Sequence, residues 1–256
     1  MGVTEAQPAD RRISFEGCWN FRDLGGYPSG LGGRVRWGRV FRADGITRLT
    51  DDDLERFAAL GIATVIDLRG HEEVATRGRF PHAEQGVGYH HLPLVDVVPD
   101  MSTFPDADSA GPAFVADRYH EMVAEGGDRL ARALTVLADA RSLPAVFHCS
   151  AGKDRTGILA AIVLRLLGVA QAEVVADYAL SDAAMKQMLA QVADRSPEAR
   201  DVLRRYPSAM LGAHPDNMVR FLGELERVHG SVAGYVASLG VDATVPERLR
   251  AELLGS

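Results

Sequence analysis

The stretch from Leu143 to Gly168 limits what this chain can fold into more than any other. Leu143-Pro144-Ala145-Val146-Phe147 is an apolar run of strand length, and Ile158 to Leu167 is an apolar run of buried-helix length that Gly168 closes. Between them stands His148-Cys149-Ser150-Ala151-Gly152-Lys153-Asp154-Arg155-Thr156-Gly157. A strand, a tight loop and a helix in that order put the loop at a helix N-terminus. Several backbone N–H groups without intrahelical partners meet there, and the helix dipole adds positive potential. Such a place binds anions.

The residue types inside the loop suit chemistry on a bound phosphate. The positive field favours thiolate over thiol at Cys149, which makes it a nucleophile. Gly152 lets the backbone curl, the Arg155 guanidinium can fork onto two phosphate oxygens, and the Thr156 hydroxyl could donate to the sulfur. Ser150, Ala151, Gly152, Lys153 and Thr156 are expected to hold the phosphate. Cys-x5-Arg alone is a weak pattern, and its strength here is the agreement of strand, glycine, arginine and helix around it. A buried inert cysteine beside a helix cap would explain neither Lys153 nor Arg155.

The loop resembles that of the cysteine-dependent protein tyrosine phosphatases, most closely the bacterial branch that has mycobacterial members. Trp19-Asn20-Phe21-Arg22-Asp23-Leu24-Gly25-Gly26, Val40-Phe41-Arg42-Ala43, Leu60-Gly61-Ile62, Val65-Ile66-Asp67-Leu68-Arg69 and Val174-Val175-Ala176-Asp177-Tyr178 extend the resemblance along nearly the whole chain. It implies hydrolysis of phosphomonoesters through a cysteinyl-phosphate intermediate. It also implies phosphotyrosine as substrate, with phosphoserine, phosphothreonine and phosphoinositides as further candidates.

Such a reaction needs a proton donor for the leaving oxygen, and two aspartates compete. Asp154 lies inside the loop, and Lys153-Asp154-Arg155 resembles the arrangement in phosphoinositide-cleaving members, where the aspartate beside the arginine acts. Asp96, in Leu92-Pro93-Leu94-Val95-Asp96, follows a strand as the mobile acid of ordinary tyrosine phosphatases does, although a Trp-Pro-Asp segment is missing. Either could instead brace its loop through side-chain-to-backbone bonds. Lys153 reads as a second cation at the pocket mouth, attractive to polyanionic head groups, or as a solvated surface lysine. His148 leaves its strand on the side opposite Cys149 and is expected to orient the loop.

The rest of the chain alternates strands and helices, which gives an α/β fold with a mostly parallel central sheet flanked by helices. Arg34 to Phe41, Ala63 to Leu68, Gly88 to Leu94 and Ala145 to His148 read as strands. A helix capped by Thr50 and ended by Gly61 carries Leu54, Phe57 and Leu60 on one face, and Leu130, Ala133, Leu134 and Leu137 stripe the helix before the fourth strand. Chemistry in such sheets gathers beyond the carboxyl ends of the strands. Arg42 and Asp44, Asp67 and Arg69, Asp96 and Cys149 all follow strands, with Asp67 and Arg69 read as a structural ion pair. Val97 to Pro112 reads as an extended loop. Ser181 to Asn217, with Met185, Met188, Leu189 and Val192 at helical spacing, reads as a helical insert, either a lid or an ordinary packed helix. Val228 to Gly240 and Pro246 to Leu254 read as two terminal helices.

The 256 residues suit one catalytic domain, residues 1–256, and the net charge of −7 argues against nucleic acid as a partner. The expected partner is a phosphoprotein or a phosphoinositide. Two cysteines make no disulfide framework, and Cys18 reads as a packing residue. The eight histidines show no metal-ligand spacing, His90 and His91 point to opposite faces of a strand, and neither metal nor other cofactor is expected. Met1 to Asp10 is polar, and the apolar run from Ile158 carries Arg165 and is too short to span a bilayer. Cytoplasmic location is expected, with secretion without a signal peptide as the variant that the resemblance allows. A rhodanese-type sulfurtransferase and a non-catalytic phosphate-binding module are the remaining alternatives; the Arg155-Thr156-Gly157 ending favours phosphate over sulfur transfer.

Overall fold

The computed structural model describes residues 10–97, 111–195, 197, 200–201, 204 and 206–255. Its central sheet grows from three four-residue strands, β3 (Val40–Ala43), β4 (Thr64–Asp67) and β6 (Ala145–His148), together with β1 (Arg22–Asp23) and β5 (Gly88–His91). Every residue of β3, β4 and β6 is buried. Alternation divides them: Val40, Ile66, Ala145 and Phe147 enter one core, while Phe41, Ala43, Val65 and Val146 enter the other. Strands buried on both faces call for parallel pairing under two layers of cover. Accordingly β3, β6, β4 and β5 are parallel neighbours in that order, and β1 adds an antiparallel edge beside β3.

The register levels the strand ends. Ala43 and Asp67 both pair with His148, and Asp67 pairs with His91, so Asp44, Leu68, Leu92 and Cys149 begin one common rim. One face is covered by α1 (Asp51–Ala59), whose start is fixed by a capping box between Thr50 and Asp53. The Asp53 carboxylate also takes the N–H groups of Glu16 and Gly17 at 2.9 and 2.8 Å, which ties the N-terminal segment down. On the other face α5 (Asp154–Leu166) is buried along nearly its whole length, from Arg155 to Leu164. Around it pack α3 (Pro112–Glu125), α4 (Gly127–Leu137), α6 (Gln171–Ala179), α9 (Pro215–His229), α10 (Val232–Ser238) and α11 (Val245–Leu253). Two further helices, α2 (His71–Arg77) and α7 (Ser181–Arg195), and the short α8 (Ser208–Leu211) lie toward the rim.

Several boundaries differ from the sequence-based expectation. The strand expected from Arg34 to Phe41 is two: the chain bends at Gly38 (φ +69°), so β2 (Arg34–Val35) pairs with the C-terminal β7 (Leu254–Gly255) and only β3 enters the main sheet. The helix after Cys149 starts four residues before its apolar run, at Asp154. Of the loop expected over 97–112, residues 98–110 lie outside the described residues, and Pro112 already opens α3. Within 181–217, Met185 is buried and Met188, Leu189 and Val192 are half-buried, and Pro215 already belongs to α9. At the C-terminus His229 closes α9 before the left-handed Gly230, and the next helix begins at Val232. Among the described residues no helix is long and apolar enough to cross a membrane.

Candidate active site

The loop between β6 and α5 is shaped by what holds its carbonyls. Gly45 N–H donates to Ser150 O at 3.2 Å, and Asn20 Nδ2 donates to Ala151 O and Gly152 O at 3.1 and 3.0 Å. Arg42 Nη2 donates to Gly152 O at 2.8 Å, Gly157 N–H donates to Lys153 O at 2.8 Å, and His148 Nδ1 lies 3.2 Å from Cys149 O. Every carbonyl from Cys149 to Lys153 is thus engaged. The N–H groups of Ser150 to Asp154 meet no acceptor among the described residues. Unpaired N–H groups beside the N-terminus of a helix such as α5 are the donors that suit an anion. Gly152 has φ +65°, and a Cβ there would lie 2.6 Å from both Ala43 O and Asp44 N, so the close approach of loop to β3 admits only glycine. Cys149, at 2 % exposure, is buried where β6 gives way to the loop.

Behind the loop stands a buried ionic network that the sequence reading left without a role. Asp177 of α6 accepts from Arg22 Nε at 3.0 Å and Arg22 Nη2 at 3.3 Å, from Arg42 Nη1, and from Tyr27 Oη at 3.1 Å. Arg22 also donates to Asn20 Oδ1, so one connected set grips the loop through Asn20 and Arg42. Burial alone would raise the Asp177 carboxyl, but the two guanidiniums hold it well below the usual carboxylate range. Burial and the neighbouring Arg22 bring Arg42 down to about 10. Asn20, Arg22 and Asp177 lie in the segments that carry the family resemblance, but their polarity alone shows no chemistry. Asp44 closes the set on the other side, accepting the N–H groups of Trp19 and Asn20 at 3.0 and 2.9 Å and the Cys18 thiol at 2.6 Å. Burial and the Asp44 charge push the Cys18 thiol up, which suits a packing residue.

Arg155 is already oriented by Glu73 of α2, a residue the sequence reading missed. Its two terminal nitrogens meet the Glu73 carboxylate, Nη2 at 3.0 Å, and Ser150 Oγ donates to the same carboxylate. Burial would raise Glu73, yet Arg155, Ser150 and the Gly70 N–H hold it at about 2. A guanidinium has five N–H donors. Glu73 takes two, and three remain for a phosphate. The signal that could have pointed to Glu73 is its position three residues past Gly70, where its carboxylate caps α2 at the rim of the sheet. The expected Asp67–Arg69 pair is present, with Nη2 at 2.6 Å from the carboxylate, Tyr89 Oη donating to Asp67 at 2.7 Å and Arg69 also donating to Gly78 O at 2.9 Å.

The candidate acids sit in different surroundings. Asp154 opens α5 and accepts from Tyr119 Oη at 2.6 Å; Tyr119 and Tyr178 hydroxyls are 2.6 Å apart, and Asn217 Nδ2 donates to Tyr178 Oη at 3.1 Å. A one-way chain of donors from Asn217 to Asp154 satisfies these distances. Asp96 has its half-exposed carboxylate taken by Arg129 of α4 at 3.1 Å to each oxygen. Lys153 is neither a surface lysine nor a cation at the mouth. It is fully buried, and its ammonium donates to Met210 O at 2.6 Å and Gly212 O at 3.1 Å, with Asp154 at 3.3 Å. The expected bond from Thr156 to the sulfur is also not formed, since Thr156 Oγ1 is buried without a hydrogen-bond partner among the described residues. His90 and His91 are on β5, and no group of three or more His, Cys, Asp or Glu side chains able to hold a metal occurs among the described residues.

The arrangement sets a buried thiol, a run of unpaired N–H donors, a guanidinium held by Glu73 and a carboxyl group on one rim. The sequence profile described as the tyrosine phosphatase family matches residues 13–255. The chain is 30% identical over 283 residues to the triple specificity protein phosphatase PtpB of Mycobacterium tuberculosis, with 93% of this chain and 98% of that protein covered. It is 28% identical over 221 residues to a tyrosine-protein phosphatase of Nostoc commune, with 83% and 73% covered.

Proposed function

The chain belongs to the tyrosine phosphatase family, and from that premise we propose that it removes phosphate from phosphotyrosine, and also from phosphoserine and phosphothreonine, in proteins. The observation that carries this reading is the loop whose carbonyls from Cys149 to Lys153 are all tied elsewhere, with Cys149 buried at its start. In the proposed cycle the Cys149 thiolate attacks phosphorus, the S–P bond forms and the P–O bond to the leaving group breaks. Loop N–H groups and the free donors of Arg155 stabilise the three equatorial oxygens. Asp154 gives its proton to the departing oxygen. Its carboxylate then takes a proton from water as that water attacks phosphorus, the S–P bond breaks, and inorganic phosphate leaves. The Tyr119 hydroxyl holds the Asp154 carboxylate in place.

Asp154 is preferred to Asp96 because it lies on the loop itself, whereas Asp96 is engaged by Arg129. A phosphoinositide head group keeps the support of the Lys153-Asp154-Arg155 arrangement but loses that of Lys153 as a cation at the mouth, since the ammonium is used on Met210 and Gly212. The name of the mycobacterial relative is in keeping with a pocket that takes more than one phosphorylated residue. In this reading the described part of the insert acts as a cover: Met188, Gln191 and Val192 of α7 line the space beside Ser150, and Lys153 holds Met210 O. The test is turnover of para-nitrophenyl phosphate and of phosphotyrosine, phosphoserine and phosphothreonine peptides, with Cys149→Ser as the blank. Turnover of all four, lost in the variant, supports the proposal; turnover retained in the variant, or thiosulfate-to-cyanide transfer in place of hydrolysis, overturns it.

A further inference from the structure

A cavity of about 440 Å³ opens beside the loop, lined by Trp19, Gly45, Arg48, Arg77, Ser150 and the α7 residues Met188 and Val192, among others. That volume lies within the roughly 300–1,000 Å³ of small-ligand sites. Two of its walls belong to the catalytic loop or touch it, since Ser150 is a loop residue and Gly45 N–H donates to Ser150 O. A group held in the cavity would therefore adjoin a phosphate on Cys149.

Its charge is the telling feature. Arg69 also lines the space but is neutralised by Asp67. Arg48 and Arg77 are exposed, and neither has a carboxylate within ion-pair distance among the described residues. The Arg48 guanidinium lies over the Trp19 ring, 4.6 Å from its centre, and Arg77 Nη1 is 3.4 Å from Ser150 Oγ. Glu73, the acidic residue on that side of the loop, is used by Arg155 and Ser150. In a chain of net charge −7, two uncompensated guanidiniums face one pocket beside the phosphate site.

We propose that this cavity is a subsite for an anionic side chain, a carboxylate or a second phosphate, next to the phosphorylated residue of a peptide substrate. The inference rests on the protein-phosphatase reading above and adds what that reading does not contain, a preference for sequence around the scissile phosphate. Arg48 and Arg77 supply charge-assisted hydrogen bonds to the anion. Trp19, Met188 and Val192 give the walls an apolar share that suits a peptide chain better than a fully polar inositol ring. Arg48 and Arg77 act here as specificity residues, while the bond-making machinery is that of the loop.

The test measures kcat/KM for one phosphotyrosine peptide core carrying neutral, glutamate or phosphoserine neighbours on either side, with inositol bisphosphate as a separate arm. The expected result is a preference of about tenfold for the anionic peptides over the neutral one, typical of one or two charge-assisted bonds. The preference should shrink with added salt and vanish in Arg48→Gln/Arg77→Gln. Arg77→Glu should reverse it toward lysine-flanked peptides, which guards against a merely weakened variant. A wild-type preference under about twofold, or one unchanged in the double variant, overturns the subsite. Inositol bisphosphate outrunning every peptide overturns the peptide assignment. Para-nitrophenyl phosphate keeps the two readings apart: if wild-type protein does not hydrolyse it, the parent proposal fails, whereas normal turnover with flat peptide selectivity removes only the subsite.

Discussion

Replacing Asp177 by asparagine tests whether the buried network behind the loop shapes the site as well as supporting the fold. The carboxylate serves Arg22, Arg42 and Tyr27 at once, and all of its ion-pair partners are almost fully buried. An asparagine keeps one oxygen for Arg22 and Tyr27 but turns an amide toward Arg42 Nη1, donor against donor. Two guanidiniums are left without a counter-charge, and breaking a buried pair in this way costs about 3–5 kcal/mol. With a urea m-value of roughly 3 kcal/mol/M for a chain of this size, the unfolding midpoint should fall by about 1–1.7 M. Because Arg42 also holds Gly152 O, kcat/KM should fall about tenfold or more in the folded variant. The folded carboxyl lies below its ordinary value of about 3.9, so its contribution is complete above that pH and is lost as pH falls below it. The stability gap between wild type and variant should therefore be flat from about pH 5 to 8 and close below about pH 4. Asp139→Asn, at the exposed pair with Arg141, should leave the midpoint unchanged. A loss under about 1 kcal/mol for Asp177→Asn, with normal turnover, would refute the reasoning.

Glu73→Gln should lower kcat/KM about ten- to a hundredfold, or about 1.4–2.7 kcal/mol, by releasing Arg155 from its fixed fork. With Glu73 held at about 2, its pairing is complete above its ordinary carboxyl range and fades only as pH falls toward 2, so the ratio of wild type to variant should not change between about pH 5 and 8; steady-state kinetics across that range checks both points. Asp154→Asn should slow alkyl phosphates far more than para-nitrophenyl phosphate, whose leaving group needs little protonation. Tyr119→Phe should show the same leaving-group pattern more weakly, and equal losses on both substrates would show that these residues matter only for folding.

The parallel sheet was legible because β4 and β6 are buried on both faces and lie within apolar runs, and the loop was legible because strand, glycine and helix are consecutive in the chain. What escaped was either non-local or a matter of direction. Glu73 lies 82 residues before Arg155, and Asp177 lies 155 residues after Arg22, so nothing in either neighbourhood reveals the partner. Lys153 was misread because the segment whose carbonyls it caps, at Met210 and Gly212, is distant in sequence. Asp96 follows a strand as an acid should, but Arg129 at the start of α4 turns its carboxylate to other work. The split of the strand expected over 34–41 follows from Gly38, whose left-handed backbone bends the chain, and from β7, a strand partner more than two hundred residues away.

The central claim is that Cys149 takes the phosphoryl group. Mass spectrometry of acid-quenched protein, sampled during turnover of para-nitrophenyl phosphate, tests it most directly. A phosphoryl adduct on the peptide containing Cys149, formed within the first turnover and missing in Cys149→Ser, is the expected outcome. Steady hydrolysis with no adduct on that peptide, or an adduct elsewhere in the chain, would contradict it.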